Sequence, residues 1–174
     1  MRIWIYAGLT VAMYLVQSSL LGPLTLWGVR PDLVLITLSI FALHAGWWEG
    51  TVMGFAAGLF VDLAEGRLIG LGAITKACAG GAVGRLGQSV FGGNAIVPVI
   101  VVFVASLGEH LLYLLGTWAF GVGLPWRVGF VRVVMPSAWY DGLATAALFP
   151  LLALVVRWAE SLRGERSGVS AEGS

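Results

Sequence analysis

The sequence predicts an all-α integral membrane protein, a bundle of about six transmembrane helices, from its composition, the length of its apolar runs and the spacing of its glycines. Of 174 residues, 59% are hydrophobic and 11% charged, where soluble domains carry about 25% charged residues. The mean hydropathy is +0.92. Several apolar runs approach the ~20 residues needed to cross ~30 Å of hydrocarbon, and runs of that length satisfy their backbone as helices. Glycine recurs at every fourth position in Gly46, Gly50, Gly54 and Gly58, and Asp62 ends the series. Residues so spaced stack on one side of a helix. In water each glycine weakens a helix by roughly 1 kcal/mol, whereas in lipid small-residue seams let two backbones approach and associate.

The first span is expected from about Ile3 to Leu21, with Trp4 and Tyr6 as interfacial aromatics and Gln17-Ser18-Ser19 near its far end. Its apolar run has no small-residue cleavage pattern, which argues against a signal peptide. Gly22-Pro23 stops it. Pro31-Asp32-Leu33 suits a helix start, with a proline in the first turn and an acid near the N-terminus, and a short second span follows to Leu43. The next apolar run, Thr51 to Val61, is also short and leans on His44, Trp47, Trp48 and Glu49 at the interface. These two are read as spans or as a re-entrant pair.

After the polar turn Asp62 to Arg67, a fourth span covers about Leu68 to Leu86. Its Gly70, Gly72, Ala73, Ala77, Gly80, Gly81 and Gly84 offer a second small-residue surface, so Gly46 to Gly84 reads as a tightly packed hairpin. Gln88 to Asn94 breaks the pattern, and a fifth span runs from Ala95 to Phe120. On it Ser106, Glu109, His110, Tyr113 and Thr117 fall at helical spacing and make one polar stripe that should face protein. Gly121 to Arg132 is expected as a loop, and a sixth span from about Met135 to Trp158 contains Asp141. Residues 1–159 thus form a single polytopic domain, and 160–174 a short charged, disordered tail. Both termini are placed in the cytoplasm, from the arginines at the end of the sixth span.

Lys76 is expected about 9 Å below the turn that precedes its helix, and Glu109 and Asp141 at a comparable depth. Unpaired charges at that level cost at least ~2.5 kcal/mol, so Lys76 is expected to pair with Glu109 or Asp141. Two readings of the cluster Lys76, Glu109, His110, Tyr113 and Asp141 stand side by side: a structural lock between helices, or a pocket for a ligand. The glycine series likewise serves either the chain's own packing or a partner. Asp32 is foremost a first-turn residue, and Asp62 either completes the turn or touches a partner.

Enzyme chemistry finds little footing. Two histidines and the single Cys78 provide neither an HExxH spacing nor a cysteine pair. No nucleophile motif, P-loop or dinucleotide fingerprint is present, so no catalytic, metal or cofactor residues are assigned. The net charge of +1 gives no reason to expect nucleic acid.

Pro31-Asp32-Leu33, then Gly54-Phe55-Ala56-Ala57-Gly58-Leu59-Phe60-Val61-Asp62-Leu63, then Gly66 and Gly70-Leu71-Gly72-Ala73, resemble the rod shape-determining membrane protein MreD family. Gln17-Ser18-Ser19-Leu20-Leu21 belongs to the same likeness. Beyond Leu86 it rests mostly on hydropathy, with Tyr140 and Pro150 fitting the family's last helix. Lys76 and Glu109-His110 are not motif positions. The resemblance implies a non-enzymatic scaffold of the bacterial inner membrane that maintains rod shape and cell-wall synthesis. Its implied partners are MreC and, through it, MreB, RodA and its penicillin-binding transpeptidase, besides membrane lipids. It also implies a fold similar to the substrate-binding subunits of energy-coupling-factor transporters, so a vitamin-like binding subunit is the competing function. Gly50, Gly54, Gly58, Asp62, Gly66, Gly70, Gly72, Pro31 and Asp32 are the expected packing or partner residues. The signature Ala-xxx-Ala of those transporter subunits has only Gly8-xxx-Ala12 as a counterpart here, which favours the scaffold.

Overall fold

The computed structural model of the chain describes residues 2–19, 29–66, 68–90, 96–122 and 125–148. Among them the chain forms helices and no strand: α1 (Arg2–Ser19), α2 (Leu33–Ala45), α3 (Trp47–Glu65), α4 (Leu71–Val90) and α5 (Ile96–Ala119). The last helix, α6, begins as Trp126–Gly129, widens into a π-helical stretch at Phe130–Val134 and continues as α-helix over 135–148. The expected ends of the first and last spans, the stop at Gly22-Pro23, Arg67 and the tail lie outside the described residues.

Local chemistry sets most of the boundaries. Asp32 is the N-cap of α2, its carboxylate accepting from the Leu35 amide at 2.9 Å. Pro31 therefore precedes the helix instead of occupying its first turn. Gly46 alone separates α2 from α3, at φ 106°, a conformation L side chains rarely adopt. Gly66 closes α3 in the left-handed region, its amide bonded to the Asp62 carbonyl at 3.0 Å.

Cross-helix contacts establish an alternating order. Gly50 faces Gly80, and Gly58 faces Gly72 and Ala73, so α3 and α4 run antiparallel. Leu38 meets Gly80 and Leu43 meets Gly87, so α2 parallels α4. Gly116 packs on Leu71 and Gly129 on Leu114, which sets α5 against α4 and α6 against α5. Tyr6 stacks on Phe41 with ring centroids 4.4 Å apart, while the Leu33 amide donates to Gln17 Oε1 at 2.8 Å, making α1 antiparallel to α2. Six helices thus alternate in direction. One end of the bundle gathers the C-termini of α1, α3 and α5 with the N-termini of α2, α4 and α6.

The core forms around α2, in which every residue from Leu33 to Leu43 is buried. Tyr6, Leu35, Ile36, Leu38, Ile40, Phe41, Met53 and Val102 make one cluster. Outward faces stay apolar: Val104, Leu115, Trp118, Trp139 and Leu143 are all exposed. Among the described residues, α5 is the helix long and apolar enough by itself to cross a membrane, while α2 is apolar but short. Its 13 residues extend only about 20 Å. The glycines and charges of α3 and α4 lower their hydropathy, although Asp62 and Lys76 are buried inside the bundle.

Besides the position of Pro31, three expectations need correction. Tyr6 is only 3% exposed and belongs to the core, since its ring has Phe41 to pack on. The helix after α5 starts at Trp126, well before Met135: Pro125 pre-sets the backbone, and its carbonyl accepts from Val128 and Gly129 at 2.9 Å, so Arg127 and Arg132 are helical. The run read as Thr51 to Val61 is a full helix of 19 residues, with Trp47, Trp48 and Glu49 as its exposed first turn.

Candidate functional site

The α3–α4 interface is built from backbone. A Cβ placed at Gly50, Gly54 or Gly58 would overlap the Gly80, Lys76 or Gly72 carbonyl oxygen, respectively. From the other side, one at Gly80 or Gly84 would overlap the Gly50 or Gly46 carbonyl. Any side chain here needs the helices to separate, because dense interiors do not absorb such overlap. These glycines therefore face the chain's own helices. Asp62 closes the end of the seam, where its Oδ2 accepts from the Gly70 amide at 2.9 Å and the Ala73 amide at 3.2 Å. It thereby satisfies donors that the start of α4 leaves open. It also abuts the Cα of Gly72, where a methyl would meet the carboxylate. Gly70 carries φ 98° and Gly66 φ 64°, and both belong to the turn.

Next to the seam, polar side chains from four helices close into a ring. Lys76 Nζ on α4 bridges Asp32 Oδ2, at the start of α2, and Glu109 Oε1 on α5, the latter at 3.2 Å. Thr75 Oγ1 donates to the same Glu109 oxygen at 3.2 Å. Glu109 Oε2 lies 3.3 Å from His110 Nδ1, which is 2.9 Å from the Ser106 carbonyl. A ring nitrogen facing two acceptors carries the hydrogen, so Nδ1 donates and Nε2 is left for other contacts. Ser106 Oγ donates to Asp141 Oδ2, and the Asp32 amide returns to Asp141 Oδ1 at 2.6 Å. Lys76, Glu109, Ser106 and Asp141 are each 5% exposed or less.

Lys76 thus pairs with Glu109 and with Asp32, while Asp141 binds Ser106 and the Asp32 backbone. Spacing could not disclose Asp32 as a partner, because 44 positions separate it from Lys76. One signal was present: a carboxylate at a helix start, at the end of the bundle where Lys76 also lies. Gln17 is a further structural group that its position in the sequence does not disclose. It holds the Leu33 amide, a second open donor at the start of α2, which explains a glutamine at the end of an apolar span.

The ring forms one wall of a cavity of about 750 Å³. Tyr14, Gln17, Asp32, Asp62, Lys76, Glu109, His110, Tyr113, Arg132 and Ser137 all contribute to its lining. It lies at the end of the bundle opposite the α1 N-terminus, where α1, α3 and α5 finish and α2, α4 and α6 begin. Arg132 and Val133 reach it from the π-helical stretch of α6, and such widened turns are frequent at functional sites. Among the described residues no group of three metal-ligating side chains occurs. Cys78 is exposed and free.

In comparison with known proteins, the family model described as rod shape-determining protein MreD aligns with residues 2–158. Neither curated proteins nor solved structures provide a match, so the implied likeness to energy-coupling-factor subunits finds no support there. With nearly the whole helical body aligned, including the Gln17, Asp32, Gly58 and Asp62 positions that organise the packing, the chain belongs to the MreD family of rod shape-determining membrane proteins.

Proposed function

We propose that the chain is a non-enzymatic, multi-pass scaffold of the bacterial inner membrane. It acts in rod-shape determination by binding MreC, and so couples wall synthesis by RodA and its transpeptidase to MreB. The observation that carries this reading is the family match over residues 2–158. The geometry is in keeping with it. Seam and ring lock α2 to α6 into one body, and the outward faces of α5 and α6 present Val104, Leu115, Trp139 and Leu143, which suits a body that holds other helices in lipid. All six helices cross the membrane in this reading, residues 1–159 form one domain, and both termini are cytoplasmic. The cavity then opens towards the outer face.

The cavity favours a second reading, a vitamin-like small-molecule subunit of a transporter, since its volume lies in the ~300–1,000 Å³ range of ligand sites. A detergent pull-down of the tagged chain from its native membrane separates the two. Recovery of MreC and wall-synthesis enzymes is the expected result. Recovery of ATPase subunits, or of a stoichiometric metabolite, would overturn the scaffold.

A further inference from the structure

The charged groups around the cavity differ in whether they are already satisfied. Asp32 is held by Lys76 and the Leu35 amide, and Glu109 by Lys76, Thr75 and His110. Asp62 is held by two backbone amides, and Glu65 is also engaged. Lys76 in turn is shared by two carboxylates. Arg30 and Arg132 line the same cavity from different elements, and neither has a hydrogen bond or ion pair among the described residues. Among the described residues, the charged groups of the lining left without a partner are therefore the two guanidiniums. Each presents a planar fork of donors matched to phosphate oxygens.

Position narrows the class further. Both arginines are exposed, at the end of the bundle where exposed Trp118 closes α5 and exposed Trp126 opens α6. Tryptophans at helix ends mark the headgroup level of a bilayer. Tyr14, Gln17, Ser18, Tyr113 and Ser137 line the same cavity and supply hydrogen-bonding groups besides the arginines. A volume of about 750 Å³ exceeds what a bare phosphate fills.

We infer that this cavity binds a phosphate-bearing polar headgroup, with Arg30 and Arg132 taking the phosphate at its mouth. This goes beyond the scaffold reading and shares with it only the placement of the chain in a membrane. The phosphate belongs either to a lipid or to a soluble ester, and the chemistry at the arginines is the same for both.

The test is native mass spectrometry of the purified full chain in detergent, titrated with phosphatidic acid, with diacylglycerol of the same acyl chains, and with inorganic pyrophosphate. Phosphatidic acid is expected to bind at least ~10-fold tighter than diacylglycerol, the factor that ~1.4 kcal/mol confers. Arg30→Gln combined with Arg132→Gln should abolish that preference, and Arg85→Gln, exposed on α4 at the opposite end, should leave it intact. Competition by pyrophosphate would identify a soluble phosphate group as sufficient, and its failure to compete would identify the lipid; either is consistent with the site. Equal binding of phosphatidic acid and diacylglycerol, or an unchanged preference in the double variant, would overturn it. A chain that keeps the preference yet recovers no MreC would overturn the scaffold alone.

Discussion

The α3–α4 seam and the polar ring both hold helices together, by opposite physics. The seam has no side chains to speak of: Gly50, Gly54 and Gly58 let carbonyl oxygens of α4 approach where a Cβ would stand, so attraction comes from close packing alone. The ring joins α2, α4, α5 and α6 through long polar side chains taken out of solvent, where each group depends on its partner. The seam fails through excess volume and the ring through loss of a partner. Lys76 links the two, since its carbonyl lies against Gly54 and its ammonium lies in the ring.

The largest effect should come from breaking the ring at its centre. Lys76→Met leaves the buried Glu109 and the half-buried Asp32 carboxylates without their cation, at an expected cost of about 3–5 kcal/mol, measured as a shift in detergent-mediated unfolding. Adding Asp32→Asn and Glu109→Gln should recover much of that loss. If the triple variant is no more stable than the single one, the groups do not act as a unit.

Next in size is the seam. Gly58→Ala should cost about 1–3 kcal/mol as an overpacking change, and Gly58→Leu should separate α3 from α4 and weaken both folding and MreC recovery. An unaltered Gly58→Leu protein would show that the seam tolerates separation. Asp62→Ala removes the acceptor of two amides and should cost about 1–3 kcal/mol. Asp62→Asn, which keeps an oxygen there, should cost less, and thermal melting can rank the two.

The smallest effect sharpens the contrast. Gly108 on α5 has nothing within 4 Å of where its Cβ would lie. Gly108→Ala should therefore be neutral or stabilising by up to about 1 kcal/mol, the helix-propensity difference. A Gly108→Ala loss as large as that of Gly58→Ala, read by the same unfolding curve, would mean that glycine content and not close approach matters in α3.

Much of this architecture was legible in the residues. The period-four glycines identified one face of α3, and the matching small residues identified its partner, because a seam needs both sides small. Ser106, Glu109 and His110 share an inward face, as their spacing requires. The start of α6 was not legible, since Arg127 and Arg132 look like loop residues until Pro125 is seen to open a helix beneath them. Nor was the surplus of Arg30 and Arg132 visible, because whether a charge is free depends on every neighbour the fold brings to it.

By itself the sequence determined the all-helical membrane body, the hairpin from Gly46 to Gly84, the inward side of the polar stripe on α5 and the family. These follow from composition and from periodicity along one helix, where geometry is set by 3.6 residues per turn. Only the tertiary structure decided that Asp32 and not Asp141 joins Glu109 on Lys76, that Gln17 holds the start of α2, and that a cavity lies beside the ring. Those outcomes depend on the relative rotation and depth of separate helices, and no repeat within a single helix encodes them.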